Sequence, residues 1–139
     1  MTAIKQSTLL ISLINLNTRL EKSLSGPLSL HGISLTEYMV LRQLAQAPEQ
    51  KLRRIDLAQQ VGLSASGVTR LLNPMEKTGL IDKEQVERDA RVSLVTLTSA
   101  GKKILEDAGT TFDQSAQSML APLKPAEQNT LQALISALL

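Results

Sequence analysis

The chain has no cysteine and no tryptophan, and only one tyrosine (Tyr38), one phenylalanine (Phe112) and one histidine (His31). Without cysteine there is no disulfide, no thiolate metal site and no thiol-based redox sensing. With so few aromatics, Leu, Ile, Val and Ala must fill the interior, which favours helix packed on helix. Catalytic equipment is equally sparse: a single histidine, no glycine-rich phosphate cradle and no metal-spaced cluster. Acidic pairs such as Glu106 and Asp107 have no complementary group at useful spacing. The chain therefore reads as a non-enzyme that needs no cofactor and holds no metal. No stretch approaches the roughly 18 apolar residues of a membrane span. Ser12, Asn15 and Asn17 break up the apolar residues near the start, and no small-residue cleavage site follows them. A soluble cytoplasmic protein is the expectation.

What is present fits one domain with helical extensions: 139 residues, 42% of them hydrophobic. The formal net charge of +2 is a weak pointer to nucleic acid. Its distribution says more. Residues 51–91 hold eight Lys and Arg against six Asp and Glu, a difference that accounts for the whole net charge.

Apolar periodicity predicts six helices. Leu9, Leu13, Leu16, Leu20 and Leu24, widened by Leu10 and Ile14, recur at spacings of three and four over about 4–24, the mark of an amphipathic helix. Gly26 and Pro27 are expected to end it. Ser34 and Glu37 form a capping box that starts a second helix, running to about Gln46 before Pro48, with Leu35, Met39, Leu41 and Leu44 inward. A short third helix over 54–61 turns Ile55, Leu57, Ala58 and Val61 inward, and Gly62 supplies the left-handed residue of a tight turn. Ser64 caps a fourth helix ending near Gly79, with Val68, Leu71, Leu72 and Met75 as its buried stripe. Pro74 should kink or shorten that helix. Two strands, 80–86 and 92–97, flank a polar loop from Glu87 to Arg91 at hairpin length. Thr98 or Ser99 caps a long fifth helix over about 100–120. Pro125 opens a sixth, whose stripe is Leu131, Leu134, Ile135, Leu138 and Leu139.

Helix, glycine turn, helix and hairpin, in that order, make a helix-turn-helix with a wing. A helix fits the major groove when its outer face carries short or forked donors and acceptors that reach base edges. Ser64, Ser66, Thr69, Arg70 and Asn73 supply them on the side opposite the leucine stripe. An arginine on the wing suits the narrow minor groove, which makes Arg88 and Arg91 candidates, with Asp89 orienting Arg91 or tightening the turn. Arg53 and Arg54, just before the third helix, are placed for phosphates. The leucine stripes of the first and last helices exceed what a small winged domain needs for its own core, so a homodimer is expected. The fold class is mainly α with a small β-hairpin wing (α+β). One domain spans 1–139, with a winged helix-turn-helix part at 34–97 and dimerisation helices at 1–30 and 100–139.

The runs Leu57 to Ser64, Val68 to Leu72, Met75 to Ile81, Asp89 to Arg91 and Val95 to Gly101 resemble the MarR family of regulators. Each piece alone is weak, but their order across about 55–101 is specific, and the six-helix layout extends the likeness over the chain. Pro74, and Ala90 where many relatives have a second arginine, depart from the pattern. The resemblance implies a homodimer built from the first, fifth and sixth helices, a repressor that binds a palindromic double-stranded promoter site and is released by a small phenolic or lipophilic anionic effector. It also implies that the loop after the first helix and the second helix border the effector cavity, making His31, Tyr38 and Arg42 effector contacts. The competing reading, a winged helix used for protein–protein assembly without DNA binding, leaves the arginine-bearing polar face unexplained.

Overall fold

The computed structural model describes residues 3–86 and 89–139, with side chains described outside 86–92. Its elements are α1 (Gln6–Ser29), α2 (Leu35–Gln46), β1 (Lys51–Arg53), α3 (Arg54–Val61), α4 (Ala65–Lys77), β2 (Ile81–Val86), β3 (Asp89–Leu97), α5 (Ser99–Leu120) and α6 (Pro125–Leu138). The strands form one antiparallel sheet in the order β1-β3-β2. Six helices and this small sheet make the expected fold class.

The helix starts follow local chemistry. Ser34 accepts from the Glu37 amide at 3.1 Å, and the Glu37 carboxylate accepts from the Ser34 amide at 2.9 Å, closing the capping box. Ser64 caps α4 by accepting from the Gly67 amide at 3.1 Å. Thr98 caps α5, accepting from the Gly101 amide at 3.0 Å while donating to the Gly79 carbonyl at 2.6 Å. Gly62 takes φ 72°, the left-handed conformation that lets the chain reverse between α3 and α4 without a side-chain clash.

The core lies where α2, α3, α4 and the sheet meet. Leu41, Leu44, Leu57, Val68, Leu72, Met75, Ile81 and Val95 are fully buried there, each such side chain contributing about 1.5–3 kcal/mol relative to exposure. Leu28 of α1 and Ala108 of α5 join the same cluster. The winged part is thereby held against the two long helices.

Several expectations are corrected. α1 does not end at Gly26 and Pro27 but runs through them to Ser29. Pro27 removes one backbone hydrogen bond, yet burial of Leu28 directly after it holds the last turn in place. Ile55 does not face inward; it is 70% exposed. Ile55 and Leu57 are two residues, or roughly 200°, apart around a helix, so burying Leu57 turns Ile55 out. On α2, Tyr38 and Val40 are buried while Leu35 and Met39 only pack at the margin of the core. α4 runs through Pro74 to Lys77, two residues short of Gly79; Pro74 gives up its own donation to the Arg70 carbonyl, while its carbonyl still accepts from the Thr78 amide at 3.0 Å. β1 was not expected: three residues are too few to show an alternation. It pairs Lys51, Leu52 and Arg53 with Thr96, Val95 and Leu94. β3 also begins earlier than 92, with Asp89 opposite Val86 and a register shift between Gln85 and Val86. The expected loop from Glu87 to Arg91 is therefore partly strand.

Candidate nucleic-acid interface

α4 presents a one-sided surface. Val68, Leu72 and Met75 are fully buried, whereas Ser64, Ser66, Arg70, Asn73 and Lys77 are exposed. Burial of the apolar stripe fixes the rotation of the helix, so the polar stripe is forced outward. The first turn of α4 carries no acidic residue, which leaves the positive end of the helix open to an anion.

The five expected recognition-helix residues share this helix but not one state. Ser66 and Arg70 stand exposed. The Ser64 hydroxyl is spent on the cap and lies 3.3 Å from the Ser66 hydroxyl. Thr69 is half-buried; its hydroxyl donates to the Ala65 carbonyl at 3.0 Å and accepts from Arg54 Nη1 at 2.9 Å. Thr69 thus steers Arg54 across from α3. Asn73 Oδ1 accepts from Lys83 Nζ of β2 at 2.5 Å.

Arg53 and Arg54, the expected phosphate contacts, are both engaged within the chain. Arg53 makes a two-point ion pair with Asp56, Nε to Oδ2 at 2.8 Å and Nη2 to Oδ1 at 3.1 Å. That hydrogen bond raises the guanidinium pKa and holds the Asp56 carboxyl below its ordinary value. A depressed carboxyl contributes stability above its unfolded pKa and loses it as pH falls through the folded one. The pair is open to solvent, so its share is small. A cavity of about 620 Å³ lies beside it, walled by Arg54, Ile55, Leu63, Ala65, Val68 and Ser93.

On the wing, Arg88 lies outside the described residues, as do the side chains of Asp89 and Arg91. The backbone of Asp89 and Arg91 lies on β3, which pairs with β2, the strand that packs against α4.

Residues 33–93 match the family model described as the MarR family. The HTH-type transcriptional regulator PrsX of Escherichia coli is 32% identical over 97 residues, which are 69% of this chain and 58% of that protein. The chain thus spans less than two thirds of that relative's length. Among solved structures, Sco3205, a MarR-family regulator of Streptomyces coelicolor in complex with DNA, superposes with a TM-score of 0.87 at 22% identity, covering 99% of this chain and 89% of that one. A mutant of Escherichia coli MarR in complex with operator DNA gives a TM-score of 0.83 at 24% identity, covering 94% and 93%. Residues 33–93 are thus similar to the MarR family, and the whole chain shares the fold of these regulators.

The residues assigned to an effector differ in their surroundings. His31 Nε2 sits 2.7 Å from the Thr111 hydroxyl, and Tyr38 stacks on Phe112 with ring centroids 4.7 Å apart. Both therefore abut consecutive residues of α5. Tyr38 is buried, as packing, while Arg42 on the following turn of α2 is exposed. Lys83 escaped notice as a site residue. The signal was available: Ile81 is core-facing, and the residue two further along a strand points the same way, toward α4. No helix among the described residues is long and apolar enough to cross a membrane, and they contain no cluster of three or more His, Asp or Glu able to hold a metal ion.

Proposed function

We propose that this chain is a double-stranded DNA-binding transcriptional regulator, a homodimeric repressor whose α4 helices enter successive major grooves of a palindromic promoter site. The observation that carries the reading is α4 itself: a helix clamped by three fully buried apolar residues, with Ser66, Arg70 and Asn73 exposed on its other side. The DNA complexes of the two structural neighbours, which share the fold, support it. Arg70 would read base edges and Ser64 the adjoining backbone; Arg54, aimed by Thr69, and Arg53 would take phosphates. Arg88 and Arg91, with Asp89 beside them, would serve the minor groove.

Dimerisation rests on apolar exposure. Leu9, Leu10, Ile11, Ile14 and Leu16 of α1 and Leu134 and Leu138 of α6 are left uncovered by the chain's own core. Exposed apolar side chains in such number are a surface for a second copy. A small phenolic or lipophilic anionic effector would act where α2 meets α5, near His31, Tyr38 and Arg42, by changing the separation of the two α4 helices. A mobility-shift assay with fragments of the source genome tests the reading. Retention of particular promoter fragments by two protomers is expected, with log affinity falling by about 0.9 per neutralised phosphate as log salt rises. Equal retention of all fragments, or a flat salt response, contradicts it.

A further inference from the structure

We propose that Lys83 is a specificity-determining residue which, without itself reading a base, sets Asn73 to present hydrogen-bond donors to the major groove. The proposal rests on the reading that α4 lies in that groove. Lys83 stands on β2, two residues beyond core-facing Ile81, and its side chain, 27% exposed, reaches over α4. Its ammonium lies 2.5 Å from Asn73 Oδ1 and 3.9 Å from the Glu76 carboxylate. An ammonium has three donors and no acceptor, so the amide atom facing it must be the oxygen. The sense of the amide is thereby settled by chemistry: Oδ1 toward the sheet, Nδ2 outward.

This orientation selects among bases. An asparagine reads adenine by donating to N7 while Oδ1 accepts from the N6 amino group. With Lys83 on Oδ1, the positive hydrogens of an adenine amino group would approach an ammonium. Guanine O6 and N7, or thymine O4, offer only acceptors, which the outward Nδ2 donors of Asn73 can meet. Asn73 should therefore favour a guanine or thymine edge over adenine. The Glu76 carboxylate, 3.9 Å from the same ammonium, is the other charged neighbour of Lys83.

Selection of binding sites from a random duplex pool tests this with the full chain, comparing parent, Lys83→Met, Asn73→Ala and the double variant. The position read by residue 73 is the one whose preference Asn73→Ala erases. There the parent should select guanine or thymine, and Lys83→Met should raise the share of adenine about five-fold or more, the lower bound for one two-point base contact. The double variant should show no such rise. Lys83→Arg, still donor-only, should keep the parent's preference. If Lys83→Met does not fold, Lys83→Gln replaces it, because an amide both donates and accepts and so no longer dictates the sense of Asn73. A parent that already selects adenine overturns the proposal. So does a Lys83→Met protein that binds every sequence more weakly with unchanged preferences, since Lys83 is then a phosphate contact. An Asn73→Ala protein that alters no position overturns it too. If the parent enriches no sequence at all, it is the groove reading of α4 that fails.

Discussion

Gly101 shows how a single hydrogen at Cα can hold two parts of the molecule together. A Cβ built there would lie 2.1 Å from the Leu80 carbonyl oxygen and 2.9 Å from a Leu97 methyl. The start of α5 can approach the α4–β2 junction only because the residue has no side chain. Alanine is the better helix former by about 1 kcal/mol, but overpacking against backbone typically costs about 1–3 kcal/mol and here sits at the upper end. Gly101→Ala should therefore destabilise by about 2 kcal/mol net, read as a lowered urea midpoint with an unchanged slope; an unchanged or raised midpoint would mean the contact relaxes freely. The same scale explains what was legible in the side chains. Caps were readable because Ser34, Ser64 and Thr98 each act on an amide three residues away. The engagement of Thr69 with Arg54 and of Asn73 with Lys83 was not, because each partner comes from a different element. Their polar spacing on α4 announced a readable face without revealing which atoms on it were already in use.

Among the elements, the turn between α2 and β1 carries the most unfavourable backbone. Glu49 and Gln50 both adopt positive φ, 58° and 57°, a conformation that disfavours residues with a Cβ by roughly 1–2 kcal/mol. Glycine removes that penalty and returns roughly 0.5–1 kcal/mol of it through the freer unfolded chain. Gln50→Gly should thus raise stability by about 0.5–1 kcal/mol in thermal unfolding, and a lowered midpoint would contradict the assignment. Helices α2 to α5 were readable from periodicity and caps because each buries part of one face in the core, and α6 from Pro125 and its apolar repeat, although it buries no residue within the chain. The misreadings arose where tertiary packing outweighed a local signal. Leu28, buried in the core, carries α1 past Pro27, and β1 exists only because β3 offers it an edge. Ile55 was misplaced because its hydrophobicity was weighed without its angle from Leu57.

At the scale of the whole molecule, α1 projects an apolar face that the rest of the chain leaves bare over its first three turns and more. The account requires a second copy there. Sedimentation should give twice the 15.1 kDa chain mass. Replacing Leu13 and Leu134 together by arginine should yield monomers, and weaken DNA binding because two half-sites roughly 34–36 Å apart are no longer bridged. A stable parent monomer at micromolar concentration would remove the dimer from the account. The central claim, that α4 reads DNA, is tested most directly by anisotropy titrations of parent and Arg70→Ala on a selected duplex at several salt concentrations. Arg70 is exposed, so its removal should leave the melting temperature unchanged. The account predicts that Arg70→Ala loses about 1–3 kcal/mol of binding on the selected site and relaxes preference at one base pair per half-site. Affinity and base preference equal to the parent's would contradict it.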